Sequence, residues 1–215
     1  MSAVEKIRFG VVGAGAVAQD YARAFQASDE AGVAAVVDVR EDAAAALAGV
    51  LGCVSYTSYQ EMAERGAPEA VLVCTPPASH AEICLHFIER KLPVLCEKPF
   101  ALNVTDTVRV LEAARKNRVA ITMASKFRYV PDVAEAKRIV DSGILGDIVL
   151  FENAFASRVD MSTRWNSNPA ISGGGVLIDN GTHSLDLARH FLGPLAEVLA
   201  IEGPRRPGLD VEDTV

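Results

Sequence analysis

The residues of this sequence that can do chemistry fall into three clusters. The first is the loop Gly13-Ala14-Gly15-Ala16-Val17-Ala18, a GxGxxA pattern between the apolar run IRFGVV and a stretch of helical spacing. In such a loop Gly13 permits a tight turn, Gly15 lets the backbone approach a diphosphate, and small Ala18 lets helix and sheet pack closely. Ala16 and Val17 fall at the helix N-terminus, where free N–H groups and a partial positive charge suit phosphate oxygens. Asp38 stands twenty residues past Ala18, at the end of a second apolar run. A carboxylate there can accept hydrogen bonds from ribose hydroxyls, which favours NAD. Arg40, two residues on, can receive a 2′-phosphate and keeps NADP open. The same residues also fit a plain turn and a carboxylate that caps the next helix.

The second cluster is Thr75-Pro76-Pro77 with Glu97-Lys98-Pro99-Phe100, each following a short apolar run. In an open α/β sheet the ligand crevice lies outside the carboxyl ends of the strands, so both segments are expected to line the nicotinamide half of a site. Lys98 offers a point charge for a substrate hydroxyl or carbonyl, or a surface ion pair. The third cluster runs from Gly173 to Asp186, GGGVLIDNGTHSLD. Asp179 and His183 are four apart and share one face if that segment is helical. The carboxylate can then hold one imidazole nitrogen while the other exchanges protons near neutrality. His183 also fits a core histidine bonded to the backbone, and Asp186 a cap or a partner of Arg189. His183, Asp186 and His190 have helical spacing that suits zinc, but His190 shares the stripe of Leu187, and no metal is expected.

The elements that must position these clusters alternate. From Lys6 onward five short β-branched runs (IRFGVV, VAAVVDV, AVLVCT, PVLCE, VAITMA) alternate with helical stretches up to Ala124, the alternation of the six-strand doubly wound fold. In the first helix Ala18, Tyr21, Ala22 and Phe25 make the buried stripe. In HAEICLHFIERK it is Ala81, Cys84, Leu85 and Ile88, with His86 on the solvated face. A further helix surrounds Val104, Val108 and Leu111. After Ala124 the rhythm changes to a helix over 131–142, a strand over IVLFENAFA, a triple glycine, a helix ending at Gly193, a strand over LAEVLAIEG and another beginning at VEDTV. The expected organisation is a Rossmann α/β domain over 1–124, then the beginning of an α+β domain with an open, mainly antiparallel sheet over 125–215, serving substrate binding and oligomerisation.

With 215 residues, half of them apolar, the chain can bury a sizeable core. A net charge of −7 and the absence of any basic run work against a nucleic-acid surface. No apolar stretch is long enough to span a bilayer, and Met1 to Lys6 lacks the apolar core of a signal peptide. Cys53, Cys74, Cys84 and Cys96 lack CxxC spacing and read as reduced, buried small residues, as expected of a cytoplasmic protein.

The three clusters, in this order, resemble the Gfo/Idh/MocA oxidoreductase family, the group that includes glucose-fructose oxidoreductase and inositol dehydrogenase. VVGAGAVA, CTPPASHAEI, LCEKPFALN, SGILGDI, RWNSNP and SGGGVLIDNGTHSLDLARHFLG carry the resemblance through the whole chain. EKP combined with DxxxH is specific; GxGxxA alone is not. The resemblance implies hydride transfer between a nicotinamide and a hydroxyl or keto carbon of a sugar, sugar acid or cyclitol. By position, Lys98 contacts the reacting oxygen, and Asp179 and His183 form the acid/base pair near it, with Asp179 alternatively a substrate ligand. The resemblance also implies a cis peptide at Lys98–Pro99. It places Arg128, Tyr129, Arg164 and Trp165 where substrate-lining residues often occur. Members of the family continue well beyond this length, so the sequence is expected to be a fragment whose full-length form is a homo-oligomer. An NAD-dependent glycoside hydrolase and a non-catalytic dinucleotide sensor, both known in the family, are the alternative readings.

Overall fold

Val71 and Val73 turn to one side of a sheet and Leu72 to the other, and all three are fully buried. Strand alternation thus feeds two separate cores, the arrangement of a sheet covered on both faces. A computed structural model describes residues 5–161 and 164–215, and its contacts divide the chain into compact units over 1–124 and 125–215. The first four residues, where no leader is expected, lie outside the described residues.

In the first unit the elements are β1 (Ile7–Val12), α1 (Ala16–Ala27), β2 (Ala31–Val37), α2 (Glu41–Leu51), β3 (Val54–Tyr56) and α3 (Tyr59–Arg65). They continue with β4 (Ala70–Val73), α4 (His80–Glu89), β5 (Val94–Cys96), α5 (Val104–Asn117) and β6 (Ile121–Met123). The six strands are parallel in the order β3-β2-β1-β4-β5-β6. This is the doubly wound order, with its switch point between β1 and β4. Val11, Val36 and Leu72 meet Ala18, Ala22 and Leu47 of α1 and α2 on one face. Val12, Val37, Val71 and Val73 meet Met62, Cys84, Phe87, Ile88 and Val110 on the other.

Three details differ from the pattern reading. β3 has only three residues, too few for an apolar alternation, and its Val54 is 57% exposed at the sheet edge. On α5 the core side is carried by Val110 and Ala114, whereas Val104, Val108 and Leu111 are exposed. Helix α4 buries Ile83 and Phe87 in addition to Ala81, Cys84 and Ile88, while Leu85 is only half-buried. Because α4 is covered by both α3 and α5, its apolar face is wider than one stripe. His86 is half-buried against that packing rather than fully solvated: its ring stands edge-on to Tyr59 and its Nε2 is buried, while its Nδ1 meets the exposed Arg90.

The second unit contains α6 (Pro131–Asp141), the short α7 (Pro169–Ser172), a π-helical turn over Leu177–Gly181 and α8 (Thr182–Leu192), which follows that turn without a break. Segments 148–156, 195–203 and 211–215 form no strand ladder, which corrects the expectation of strands there. Apolar alternation produces extended chain, but a strand exists only when a neighbour completes its hydrogen bonds. The VEDTV segment instead crosses the triple glycine, with Val176 N–H donating to the Glu212 carbonyl at 2.8 Å. Gly175 is obligatory at this crossing, because a Cβ there would overlap the Glu212 carbonyl oxygen.

Candidate functional site

β1 delivers the chain to Gly13, whose φ of +100° is a conformation that glycine alone adopts readily. A side chain at Gly13 would press on the Cys74 carbonyl carbon at 2.8 Å, so the loops after β1 and β4 meet closely at the switch point. Gly15 differs: a Cβ there meets no protein atom within 4 Å. Packing within the chain therefore does not require glycine at 15, and its bare backbone suits approach from outside. No side chain caps the N-terminus of α1, which begins at Ala16 and Val17, and its first turn has no acidic residue. The loop fits the diphosphate of a dinucleotide in shape and in charge.

Asp38 directly follows β2. Its Oδ2 accepts the Ala14 N–H at 2.8 Å and its Oδ1 accepts the Arg40 N–H at 2.9 Å. The Arg40 side chain folds back onto the same carboxylate, Nε to Oδ1 3.3 Å. Burial pushes the Asp38 carboxyl up, but the bonds from Ala14 and Arg40 and the guanidinium charge outweigh it and hold the pKa below 3.8. Asp38 is thus an anchored anion beside the glycine loop, and Arg40 is drawn toward it.

The loops after β4 and β5 are joined by His80, which is fully buried at the start of α4. Its Nε2 lies 2.7 Å from the Thr75 carbonyl oxygen and its Nδ1 2.9 Å from that of Pro99. Burial lowers its pKa below 6.5, against the opposing pull of those carbonyls and of Glu97. Thr75 Oγ1 accepts from Ser79 Oγ at 2.7 Å, and Pro76 precedes the 3₁₀ turn Pro77–Ser79. Glu97 is buried; its Oε1 accepts the Tyr21 phenol at 2.7 Å and its Oε2 the Lys98 N–H at 3.0 Å. Burial and the Glu97 charge raise the Tyr21 pKa, so the phenol stays a donor. Lys98 is half-buried, and the Lys98–Pro99 peptide is cis. The thiols are kept protonated: burial raises Cys74, and contact with Cys84 together with burial raises Cys96.

In the second unit Asp179 sits in the π-helical turn and His183 in the first turn of α8. Such turns inside helices recur at functional sites. His183 is 7% exposed and stands edge-on to the Phe127 ring at 4.8 Å. Asp179 Oδ2 accepts from Asn166 Nδ2 at 3.2 Å. Asn166 is itself buried, and its Oδ1 has no partner among the described residues. Arg128, expected to meet substrate, forks onto Asp186 with bonds of 2.8 and 2.6 Å. This also corrects the expected partner of Asp186, because the bend at Lys126–Tyr129 carries Arg128 against α8. Trp165 is half exposed on the 3₁₀ turn Trp165–Ser167, and Arg164 and Tyr129 are exposed. Among the described residues no cluster of three His, Cys, Asp or Glu side chains can hold a metal ion.

Sequence reasoning missed Tyr21 as a polar partner, His80 and Asn166. Tyr21 was legible only as a stripe residue, and His80 and Asn166 lay inside quoted motifs with no spacing to mark them out.

The first unit matches a family model described as "Oxidoreductase family, NAD-binding Rossmann fold" over residues 7–125, and residues 133–215 match the GFO/IDH/MocA C-terminal domain. The rhizopine catabolism protein MocA of Rhizobium meliloti is 31% identical over 188 residues, 87% of this chain and 58% of that protein. Inositol 2-dehydrogenase 4 of Saccharopolyspora erythraea is 31% identical over 203 residues, 93% of this chain and 58% of that protein. The structure of GenD2 from gentamicin A biosynthesis, solved in complex with NAD, superposes with a TM-score of 0.85 at 27% identity, covering 99% of this chain and 62% of GenD2. The chain therefore spans less than two thirds of the length of each of these three relatives. With both of its units matched, in order, by the two domains of one family, the chain belongs to the Gfo/Idh/MocA oxidoreductases.

Proposed function

We propose that this chain is the cofactor-binding part and the acid/base part of an NAD-dependent oxidoreductase acting on a hydroxyl or keto carbon of a sugar, sugar acid or cyclitol. The observation that carries this reading is the pair on one helix: a buried histidine, His183, four residues after a carboxylate, Asp179, that is held by the buried Asn166. A protein that only senses a nucleotide has no use for such a pair. The bound nicotinamide supplies the two-electron acceptor or donor. His183 takes the hydroxyl proton in oxidation and returns it in reduction, Asp179 orients the imidazole, and Lys98 steadies the reacting oxygen by its charge. Gly13, Gly15, Ala16 and Val17 hold the diphosphate, Asp38 the adenine ribose, and Thr75, Pro76, Glu97 and Lys98 the nicotinamide half. Trp165 contributes to the substrate side, and Arg128 positions α8 through Asp186.

NAD is favoured over NADP because Asp38 is a fixed anion and engages the guanidinium that a 2′-phosphate needs. The likeness to an inositol 2-dehydrogenase supports the cyclitol and sugar class. The full-length form is proposed to be a homo-oligomer; the second unit exposes Val149 (96%) and Leu199 (85%), apolar surface of the kind that further chain or a second copy covers.

The test is a spectrophotometric screen of sugars, sugar acids and inositols with NAD and NADP on the longest form of the protein. One substrate is expected to reduce NAD, with turnover falling roughly 10²–10⁴-fold when Lys98 and His183 are both replaced by Ala. Turnover unaffected by that double replacement would sink the proposal.

A further inference from the structure

Three consecutive N–H groups open the helix that carries Asp179 and His183, and one residue binds all of them. Glu212 Oε1 accepts from Gly175 N–H at 2.9 Å and from Leu177 N–H at 3.1 Å, while the Glu212 carbonyl oxygen accepts from Val176 N–H at 2.8 Å. The first intrahelical bond follows directly, Asp179 N–H to Gly175 carbonyl at 3.0 Å. A helix start normally leaves such donors to its own N-cap side chain or to water. The N-cap of the π turn, Val176, has no side chain that can serve. The carboxylate comes instead from 35 and 37 residues away in sequence. Gly175 makes the approach possible, since any side chain there would collide with the Glu212 backbone. The donors satisfied by Glu212 lie two to four residues before Asp179, on the same rigid element as His183.

We propose that Glu212 is a positioning residue for the acid/base pair: its carboxylate and carbonyl fix the height and rotation of the helix that presents Asp179 and His183. The proposal rests on the proton-transfer role given above to those two residues. Removing the carboxylate frees the first turn to fray, and the π turn with it, so the pair loses its fixed placement while the cofactor-binding unit keeps its own.

The experiment compares Glu212→Ala, Glu212→Gln and Glu212→Asp with the parent protein in NADH affinity, kcat and KM, and the NMR titration of His183. An amide oxygen can still accept two N–H bonds, whereas the shorter Asp cannot span to both. The expected result is NADH affinity within about twofold throughout and kcat reduced at least about tenfold in Glu212→Ala, because an ångström of misplacement can cost on the order of 10²-fold. Glu212→Gln is expected to recover most of that loss, and Glu212→Asp to recover little. If Glu212→Ala does not fold, the difference between Gln and Asp carries the same test. Variants that bind NADH normally, with kcat within twofold of the parent and an unmoved His183 titration, would overturn the proposal. If the parent turns over no substrate, the oxidoreductase reading fails, and the His183 titration across the variants still decides the role of Glu212.

Discussion

The phenol of Tyr21 donates a 2.7 Å hydrogen bond to Oε1 of Glu97, joining the helix after the glycine loop to the turn that holds Lys98 across 76 residues of sequence. The other carboxylate oxygen takes the Lys98 N–H. Tyr21→Phe keeps the ring and deletes only the donor, so it isolates this link. A buried carboxylate that loses a partner costs about 1–3 kcal/mol. Urea unfolding of Tyr21→Phe is expected to show a loss in that range. A loss near zero would mean that solvent replaces the phenol without cost.

Gly15 and Gly175 separate binding from folding. Gly15→Ala places a methyl group where no protein atom lies within 4 Å, so its unfolding free energy is expected to stay within about 1 kcal/mol of the parent. Its NADH affinity is expected to fall at least about tenfold, a 1.4 kcal/mol effect. Gly175→Ala collides with the Glu212 backbone and is expected to destabilise by about 1–3 kcal/mol or more. Thermal unfolding and NADH fluorescence titration on both variants check the contrast.

The ribose role proposed for Asp38 makes cofactor choice depend on Asp38 and Arg40. Asp38→Ser removes the anion proposed to meet the ribose and releases the guanidinium at position 40. The ratio of NADPH to NADH affinity is expected to rise at least about tenfold. Fluorescence titrations with the two reduced cofactors measure it, and an unchanged ratio would show that the discrimination lies elsewhere.

His80 makes stability depend on pH in a definite direction. Its folded pKa lies below 6.5, so the unfolded chain takes up the proton first on acidification. The stability this site contributes is complete above 6.5 and is lost as pH falls through the folded value. His86 is shifted the same way by burial, whereas Asp38, held below 3.8, acts only in stronger acid. Between about pH 7 and 5, His80→Asn is expected to flatten the slope of unfolding free energy against pH relative to the parent. Equal slopes would show that the imidazole takes up its proton alike in the folded and unfolded states.

Much of the first unit is readable from the chain alone because its signals are local. The period-two and i, i+3, i+4 patterns mark β1, α1 and β4, and the glycine spacing marks the loop between the first two. β3 escapes because three edge residues carry no pattern, and the core face of α5 escapes because its exposed valines are as apolar as the buried one. In the second unit apolar alternation suggests strands over 148–156 and 195–203, where none forms, because pairing is a property of neighbours and not of the segment. Asp179 and His183 are legible as a pair four apart; that a π turn and Asn166 hold them is not.

By itself the sequence determined the doubly wound unit, the glycine loop followed by Asp38, and the family to which the EKP and DxxxH motifs point, since each rests on patterns read along the chain. Only the tertiary structure decided which groups each carboxylate serves: Glu97 takes the phenol of Tyr21, Asp186 the guanidinium of Arg128, and Glu212 the first turn of the His183 helix. Those bonds join residues 76, 58, and 35 to 37 positions apart. Contact at such separations is set by how the elements pack, and spacing along the chain carries no record of it.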